Sequence, residues 1–153
     1  MSKRVLVDCQ SVSKKFGDTL ALNNLSFQVE EGTVSGLLGA NGSGKTTSIK
    51  VLLGLSHPTS GRSELMGTSK DKQGFREAVR RTGSLIEGPA LYGRATARQN
   101  MEIYAAAKGV VKSKEEISRL LDLVGLTDRA STKAAGFSLG MKQRLAIASA
   151  LLN

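Results

Sequence analysis

The sequence predicts an α/β fold, and three observations lead to this prediction. Strand-like and helix-like segments alternate over the first part of the 153-residue chain. A glycine-rich loop lies between an apolar run and a segment with helical periodicity, which gives the order strand, loop, helix. Hydrophobic residues make up 40% of the chain, and 17 glycines accompany only 2 prolines. We therefore interpret the glycines as turns and ligand contacts within a folded core rather than as disorder.

The first element is predicted to be an antiparallel hairpin with one buried face. Apolar and polar residues alternate over 4–12 and again over 20–29, with a polar turn at 14–18 between them. The run 34–38 shows little alternation, which is typical of a buried parallel strand. Helical periodicity then predicts a helix over 46–55.

The segments after this helix continue the alternation of strands and helices. We predict a turn at 58–61, a strand at 63–66, a helix at 74–81 and a strand at 83–86. Beyond residue 87 the pattern becomes helical.

Two capping-box pairs predict where helices begin in this later part. Thr96 with Gln99, and Ser113 with Glu116, each have the required spacing of three residues. A final helix is predicted to begin near Ser138.

Charge and cysteine content narrow the functional classes. The formal net charge is +9, which favours anionic partners such as nucleotides, nucleic acid or acidic lipid. The single cysteine cannot form an intrachain disulfide, so nothing indicates a disulfide-stabilised secreted scaffold. Since no apolar run approaches the ~20 residues needed to cross a bilayer, no transmembrane helix is predicted.

Residues 39–46 carry the strongest functional signal. They read GANGSGKT and match the phosphate-loop pattern G-x-x-x-x-G-K-[ST] at every specified position, between a predicted strand and a predicted helix. Backbone N–H groups of such a loop surround phosphate oxygens, and the helix N-terminus adds partial positive charge. We assign Lys45 to the β- and γ-phosphates and the Thr46 hydroxyl to Mg²⁺. The other predicted nucleotide-binding residues of the loop are Gly39, Asn41, Gly42, Ser43, Gly44 and Thr47. The alternative is a glycine-rich turn without a ligand.

The loop alone leaves kinases, GTPases, helicases and transport ATPases open, and three further segments narrow the choice. Residues 15–17 read KFG, residues 21–27 read ALNNLSF and residues 137–145 read FSLGMKQRL. In this order around the loop, they resemble the ATP-binding subunit of ABC transporters. The resemblance covers residues 5–153 and implies a P-loop NTPase (RecA-like) core with an antiparallel β subdomain and a helical subdomain.

The resemblance also implies roles for residues outside the loop. Phe16 matches the aromatic residue that stacks on adenine, and the alternative is a core phenylalanine. Ser138 and Gly140 match the family signature, which meets the γ-phosphate of ATP held by a second subunit in a head-to-tail dimer. The alternative for Ser138 is an ordinary helix N-cap. Leu139 and Met141 depart from the usual signature Leu-Ser-Gly-Gly-Gln.

Glu87 stands where the family normally places a glutamine that touches Mg²⁺ and the attacking water. The stretch 84–92 is similar to the bacitracin- and lantibiotic-resistance exporters, in which glutamate commonly stands there. The resemblance therefore gives Glu87 a catalytic and metal-binding role. The alternative is an exposed glutamate at the end of a strand.

The family places its Mg²⁺-binding aspartate, its catalytic glutamate and its switch histidine beyond residue 153. The expectation is therefore a partial ATP-binding domain, truncated before the Mg²⁺-carboxylate strand. It would comprise a sheet core with the phosphate loop at about 1–87, a helical subdomain at about 88–140 and a signature helix at about 138–153.

The resemblance implies a subunit that binds Mg-ATP and, in complete form, hydrolyses it to power export, with a peptide antibiotic as one cargo. The alternative is a non-catalytic nucleotide-binding module without turnover. Its partners would be a second ATP-binding subunit and a transmembrane permease, on the cytoplasmic face of the cell membrane. Nucleic acid is not an expected partner because the chain has six aromatic residues, Phe 4 and Tyr 2, and no base-reading motif.

Overall fold

The computed structural model describes residues 3–86, 88 and 90–152. The chain divides into two compact units, and the boundary falls after Val79. The helices and strands are, in chain order, β1 (Val5–Phe16), β2 (Thr19–Glu30), α1 (Lys45–Leu52), β3 (Ser60–Leu65), α2 (Phe75–Arg80), α3 (Ala97–Lys108), α4 (Lys114–Leu123) and α5 (Leu139–Ala150). Short 3₁₀ turns at Thr127–Arg129 and Ala134–Gly136 lie between α4 and α5.

An antiparallel sheet organises the first unit and confirms the predicted hairpin. Within the described residues the strand order is β2-β1-β3, and β1 pairs antiparallel with both neighbours. A two-residue turn joins β1 to β2, and Gly17 in this turn has φ 53°, a backbone conformation that glycine adopts at little cost. The fold class is therefore α/β, with an antiparallel sheet and a separate helical unit.

The buried face of the hairpin holds α1, the helix that follows the phosphate loop. Cys9, Val12 and Leu22 from the sheet form one buried cluster with Val51 of α1. Burial, with a smaller contribution from the charge of Asp8, raises the pKa of the Cys9 thiol to about 11. Cys9 therefore stays protonated at neutral pH and packs as a small apolar side chain. This cluster fixes the helix, and with it the end of the loop, against β2.

Two of the predicted strands are not strands in this structure. Residues 34–38 and 83–86 are irregular, and in the first segment Val34 and Leu38 are 104% and 92% exposed. A strand exists through hydrogen bonds to a neighbouring strand, and among the described residues neither segment has one. The prediction of strands over 34–38 and 83–86 is therefore wrong for this structure, because it rested on apolar composition and composition does not supply a pairing partner.

The second unit is a helical cluster whose helices start where the sequence predicted. Thr96 and Gln99 form a complete capping box at the start of α3, and Ser113 and Glu116 form another at the start of α4. Apolar side chains from α3, α4 and α5 build one core, with Met101 and Leu145 both 0% exposed at its centre.

Candidate functional site

Two glycines of the loop adopt backbone conformations that residues with a side chain rarely adopt. Gly42 and Gly44 have φ of 81° and 90°, in the left-handed region that glycine favours. At Gly44, a Cβ atom would lie 2.5 Å from the carbonyl oxygen of Ala21 and 2.6 Å from Cδ2 of Leu22. The loop therefore closes directly against β2 because Gly44 has no side chain.

The Lys45 side chain turns back over this loop. Its Nζ donates hydrogen bonds to the carbonyl oxygens of Gly39 and Ala40, both at 2.7 Å. The amide of Ser43 also donates to Ala40, at 3.2 Å. A Cβ atom at Gly39 would lie 2.5 Å from Oγ of Ser43. These contacts hold the loop as a tight ring with an ammonium group at its mouth.

The first turn of α1 carries uncompensated hydrogen-bond donors. Gly44 is the N-cap and provides no side-chain cap, and the first turn contains no acidic residue. Among the described residues, no backbone acceptor receives the amides of Gly44, Lys45, Thr46 or Thr47. Four free N–H groups, the positive end of the helix dipole and one ammonium group converge on the loop, so the arrangement suits an anion with several oxygens.

A pocket of about 430 Å³ lies between the loop and β2. The loop contributes Gly39, Gly42, Ser43 and Gly44, while Leu20 is among the β2 residues that line it. Its volume falls within the range of small-molecule sites. Asn41 and Thr46 are exposed rather than part of the pocket lining, and Thr47 is half-buried.

Phe16 lies at the end of β1, beside the hairpin turn, and is 52% exposed. This exposure excludes the alternative that Phe16 is a core residue. Phe16 does not line the 430 Å³ pocket; Leu20, which pairs with the neighbouring Lys15, does. The adenine-stacking role of Phe16 stays a prediction.

The signature residues lie at the start of α5, in the second unit. Ser138 is the N-cap, and its Oγ accepts a hydrogen bond from the amide of Met141 at 3.3 Å. Ser138, Leu139 and Gly140 are all exposed, and the first turn of α5 contains no acidic residue. The ordinary N-cap role is therefore present, and the same exposed turn leaves the helix N-terminus accessible to an anion.

The sequence analysis did not assign a role to Asn100, which positions this helical unit. Asn100 is 0% exposed; its Oδ1 accepts from the amide of Tyr92 at 2.8 Å, and its Nδ2 donates to the carbonyl oxygens of Tyr92, Ala95 and Thr96. Asn100 thereby fixes the segment before α3. The signal in the sequence that could have identified it is an amide residue, Asn100, next to the apolar face of α3.

Arg144 was recognised only as part of the signature segment. Its guanidinium donates to the carbonyl oxygens of Val124 and Gly125, both at 3.1 Å, at the C-terminal end of α4. A cation at the negative end of a helix is favourable, so Arg144 ties α5 to α4.

Glu87, predicted to be catalytic and to bind a metal ion, lies outside the described residues. Within residues 3–86, 88 and 90–152, no group of three or more His, Cys, Asp or Glu side chains is placed to hold a metal ion. In the same part of the chain, no helix is long and apolar enough to span a bilayer.

Comparison with known proteins decides among the phosphate-loop families. The sequence profile described as "ABC transporter" matches residues 22–153, most of the chain. The chain belongs to the ABC transporter family. This assignment confirms the resemblance seen in the phosphate loop and in residues 137–145.

Relatives of this ABC transporter chain include two bacitracin transport ATP-binding proteins BcrA. The protein of Bacillus licheniformis is 42% identical over 148 residues, covering 97% of this chain and 48% of the relative. The protein of Enterococcus faecalis is 37% identical over 153 residues, covering 100% of this chain and 49% of the relative. The chain thus spans about half the length of these curated relatives.

A solved structure supports the same fold. The structure described as an ATP-binding subunit of an ABC transporter superposes with a TM-score of 0.80 at 32% sequence identity. The match covers 96% of this chain and 62% of the solved chain.

Proposed function

We propose that this chain is an ATP-binding subunit of an ABC transporter and that loop 39–46 binds the phosphates of Mg-ATP. The observation that carries this proposal is the uncapped N-terminus of α1, whose free amides and Lys45 ammonium face the same loop. Gly44 supports it, since a Cβ atom at this position would collide with the backbone of β2 at Ala21.

Each polar group of the loop has a defined task in this proposal. Lys45 exchanges its contacts with the carbonyl oxygens of Gly39 and Ala40 for phosphate oxygens, which are stronger acceptors because they carry a full charge. The exposed Thr46 hydroxyl is an oxygen ligand of the kind that Mg²⁺ prefers. Bound Mg²⁺ would neutralise phosphate charge, and Glu87 would contribute a further carboxylate to it.

The direct test is calorimetric titration of the purified chain with ATP in the presence of Mg²⁺. We expect saturable binding of one nucleotide per chain, weakened when EDTA removes the metal. Titration with no detectable heat, together with no protection of the chain against heat by ATP, would contradict the proposal. A phosphate-release assay on the same sample distinguishes hydrolysis from binding without turnover.

The proposed dimer places Ser138 and Gly140 against ATP bound by a second subunit. Ser138→Asp is informative because aspartate also caps helices well, so α5 should keep its stability. Its carboxylate would repel the γ-phosphate, and ATP-dependent dimerisation should be lost. Ser138→Ala should cost about 1 kcal/mol of stability through the lost cap. Sedimentation velocity with a non-hydrolysable ATP analogue measures the dimer, and dimerisation of Ser138→Asp at the wild-type level would refute this role.

The transport role is also proposed, from the names of the relatives. Both are bacitracin transport proteins, which supports a function in the export of a peptide antibiotic. Such a function requires a transmembrane permease, and it would place this chain at the cytoplasmic face of the membrane. Growth of a bacitracin-sensitive strain that carries the gene for this protein and its permease, with and without antibiotic, tests the cargo.

A further inference from the structure

Lys14 and Phe16 form a cation–π pair at the end of β1. The Nζ atom of Lys14 lies over the Phe16 ring, 4.8 Å from its centroid, within the range of an energetically significant contact. The two residues are separated by one position, so their side chains leave the strand on the same face. Phe16 is 52% exposed, which leaves ring surface open to a second flat group.

The backbone around this pair is held on both sides. Phe16 pairs with Thr19 across the hairpin, and Lys14 pairs with Leu22. Between them, the amide of Lys15 donates to Oγ1 of Thr59 at 3.0 Å. The ring and the ammonium group therefore start from a fixed strand end rather than from a loose loop.

A cation on one face changes how the ring stacks. Aromatic faces carry negative electrostatic potential, which opposes face-to-face contact between two rings. The Lys14 ammonium attracts π-electron density to its own side, so the opposite face becomes less negative and accepts a flat, electron-rich base more readily.

We propose that Lys14 is a positioning residue of the nucleotide site: it backs the Phe16 ring and strengthens the stacking of a purine base on it. This inference rests on the proposed nucleotide binding by loop 39–46 and on the predicted stacking of Phe16 on the base. It extends that function by naming a residue that acts, through the Phe16 ring, on the binding of the base and not on the binding of the phosphates.

The test compares two lysines that differ in ring contact but not in charge. Lys14→Met and Lys15→Met each remove one positive charge from β1, but only Lys14 lies over Phe16. Calorimetry gives Kd for Mg-ATP and for inorganic tripolyphosphate, which has no base. We expect Lys14→Met to weaken ATP binding roughly two- to fivefold more than Lys15→Met does, with equal effects on tripolyphosphate binding. Lys14→Arg, which keeps a cation over the ring, should stay within about twofold of wild type.

Three results would overturn the inference. The first is that the ratio of the affinity for ATP to the affinity for tripolyphosphate is the same in the Lys14→Met protein as in the Lys15→Met protein. Another is an undiminished effect of Lys14→Met when Phe16 is already leucine, since the pair would then not act together. The third is a wild-type chain that binds neither ligand, which refutes the proposed function itself and is recognised without any variant. Lys14→Gln, checked by circular dichroism, repeats the test with a polar chain should Lys14→Met fold poorly.

Discussion

Lys45→Ala should lower the affinity of the chain for Mg-ATP by roughly 100-fold. The substitution removes the only side-chain ammonium that contacts the loop among the described residues. A hydrogen bond to a charged group contributes about 1.5–3 kcal/mol, and each 1.4 kcal/mol is a factor of ten in Kd. The carbonyl oxygens of Gly39 and Ala40 also lose their partner, so the free loop should become less ordered. Calorimetric titration with Mg-ATP measures the change.

Lys72→Ala is the matched control, because it removes the same charge from an exposed position outside the loop. We expect Lys72→Ala to bind ATP within about twofold of wild type in physiological salt, where distant exposed charges are screened. A Lys45→Ala protein that binds ATP as tightly as the Lys72→Ala protein would show that loop 39–46 is not the phosphate site.

Asn100→Asp should destabilise the helical unit by about 3–5 kcal/mol at neutral pH. The side chains have the same shape, so no cavity forms, but the carboxylate cannot donate to the carbonyl oxygens of Tyr92, Ala95 and Thr96. The two N–H donors of the amide, which are shared among these three acceptors, are lost at about 1 kcal/mol each, and repulsion between buried oxygens adds the remainder. Urea unfolding followed by helical circular dichroism measures the loss.

The pH dependence of this variant has a definite sign. Burial and the facing carbonyl groups raise the folded-state pKa of the introduced carboxyl above its unfolded value. The destabilisation is therefore fully present above that folded-state pKa and shrinks as pH falls, since the protonated carboxyl can donate again. Gln99→Glu is the control: it makes the same chemical change at the exposed N3 position of the capping box, and its effect should stay within about 0.5 kcal/mol. An Asn100→Asp protein as stable as this control would contradict the role of Asn100.

The parts of the fold that the sequence predicted are those encoded by neighbouring residues. The phosphate-loop pattern, the hairpin turn near Gly17 and both capping boxes depend on groups within a few positions of one another. All the groups that determine these features lie within one short segment, so the sequence of that segment is enough to predict them. Even there, the helix after the loop ends at Leu52, earlier than its apolar periodicity suggested.

The parts that could not be predicted depend on partners distant in the chain. The segments 34–38 and 83–86 are as apolar as strands, but pairing is a property of two segments and not of one. The buried amide of Asn100 and the guanidinium of Arg144 donate to backbone carbonyl oxygens, and every residue of any sequence has such an oxygen. Only the folded backbone shows which carbonyl groups come within reach.

The residues that bond to α3 from the end of the chain are synthesised well after α3 itself, and this delay sets an order of assembly for the helical unit. Lys108 donates to the carbonyl oxygens of Ala150 and Leu152. Met101 accepts a hydrogen bond from Oγ of Ser149, which lies 48 positions later in the chain. A ribosome adding about 5–20 residues per second needs about 2–10 s to cover that distance. Over this interval α3 can pack against α4, but its face toward α5 stays open. The nascent chain therefore passes through a stage in which a chaperone or a neighbouring nascent chain competes with α5 for the same apolar surface.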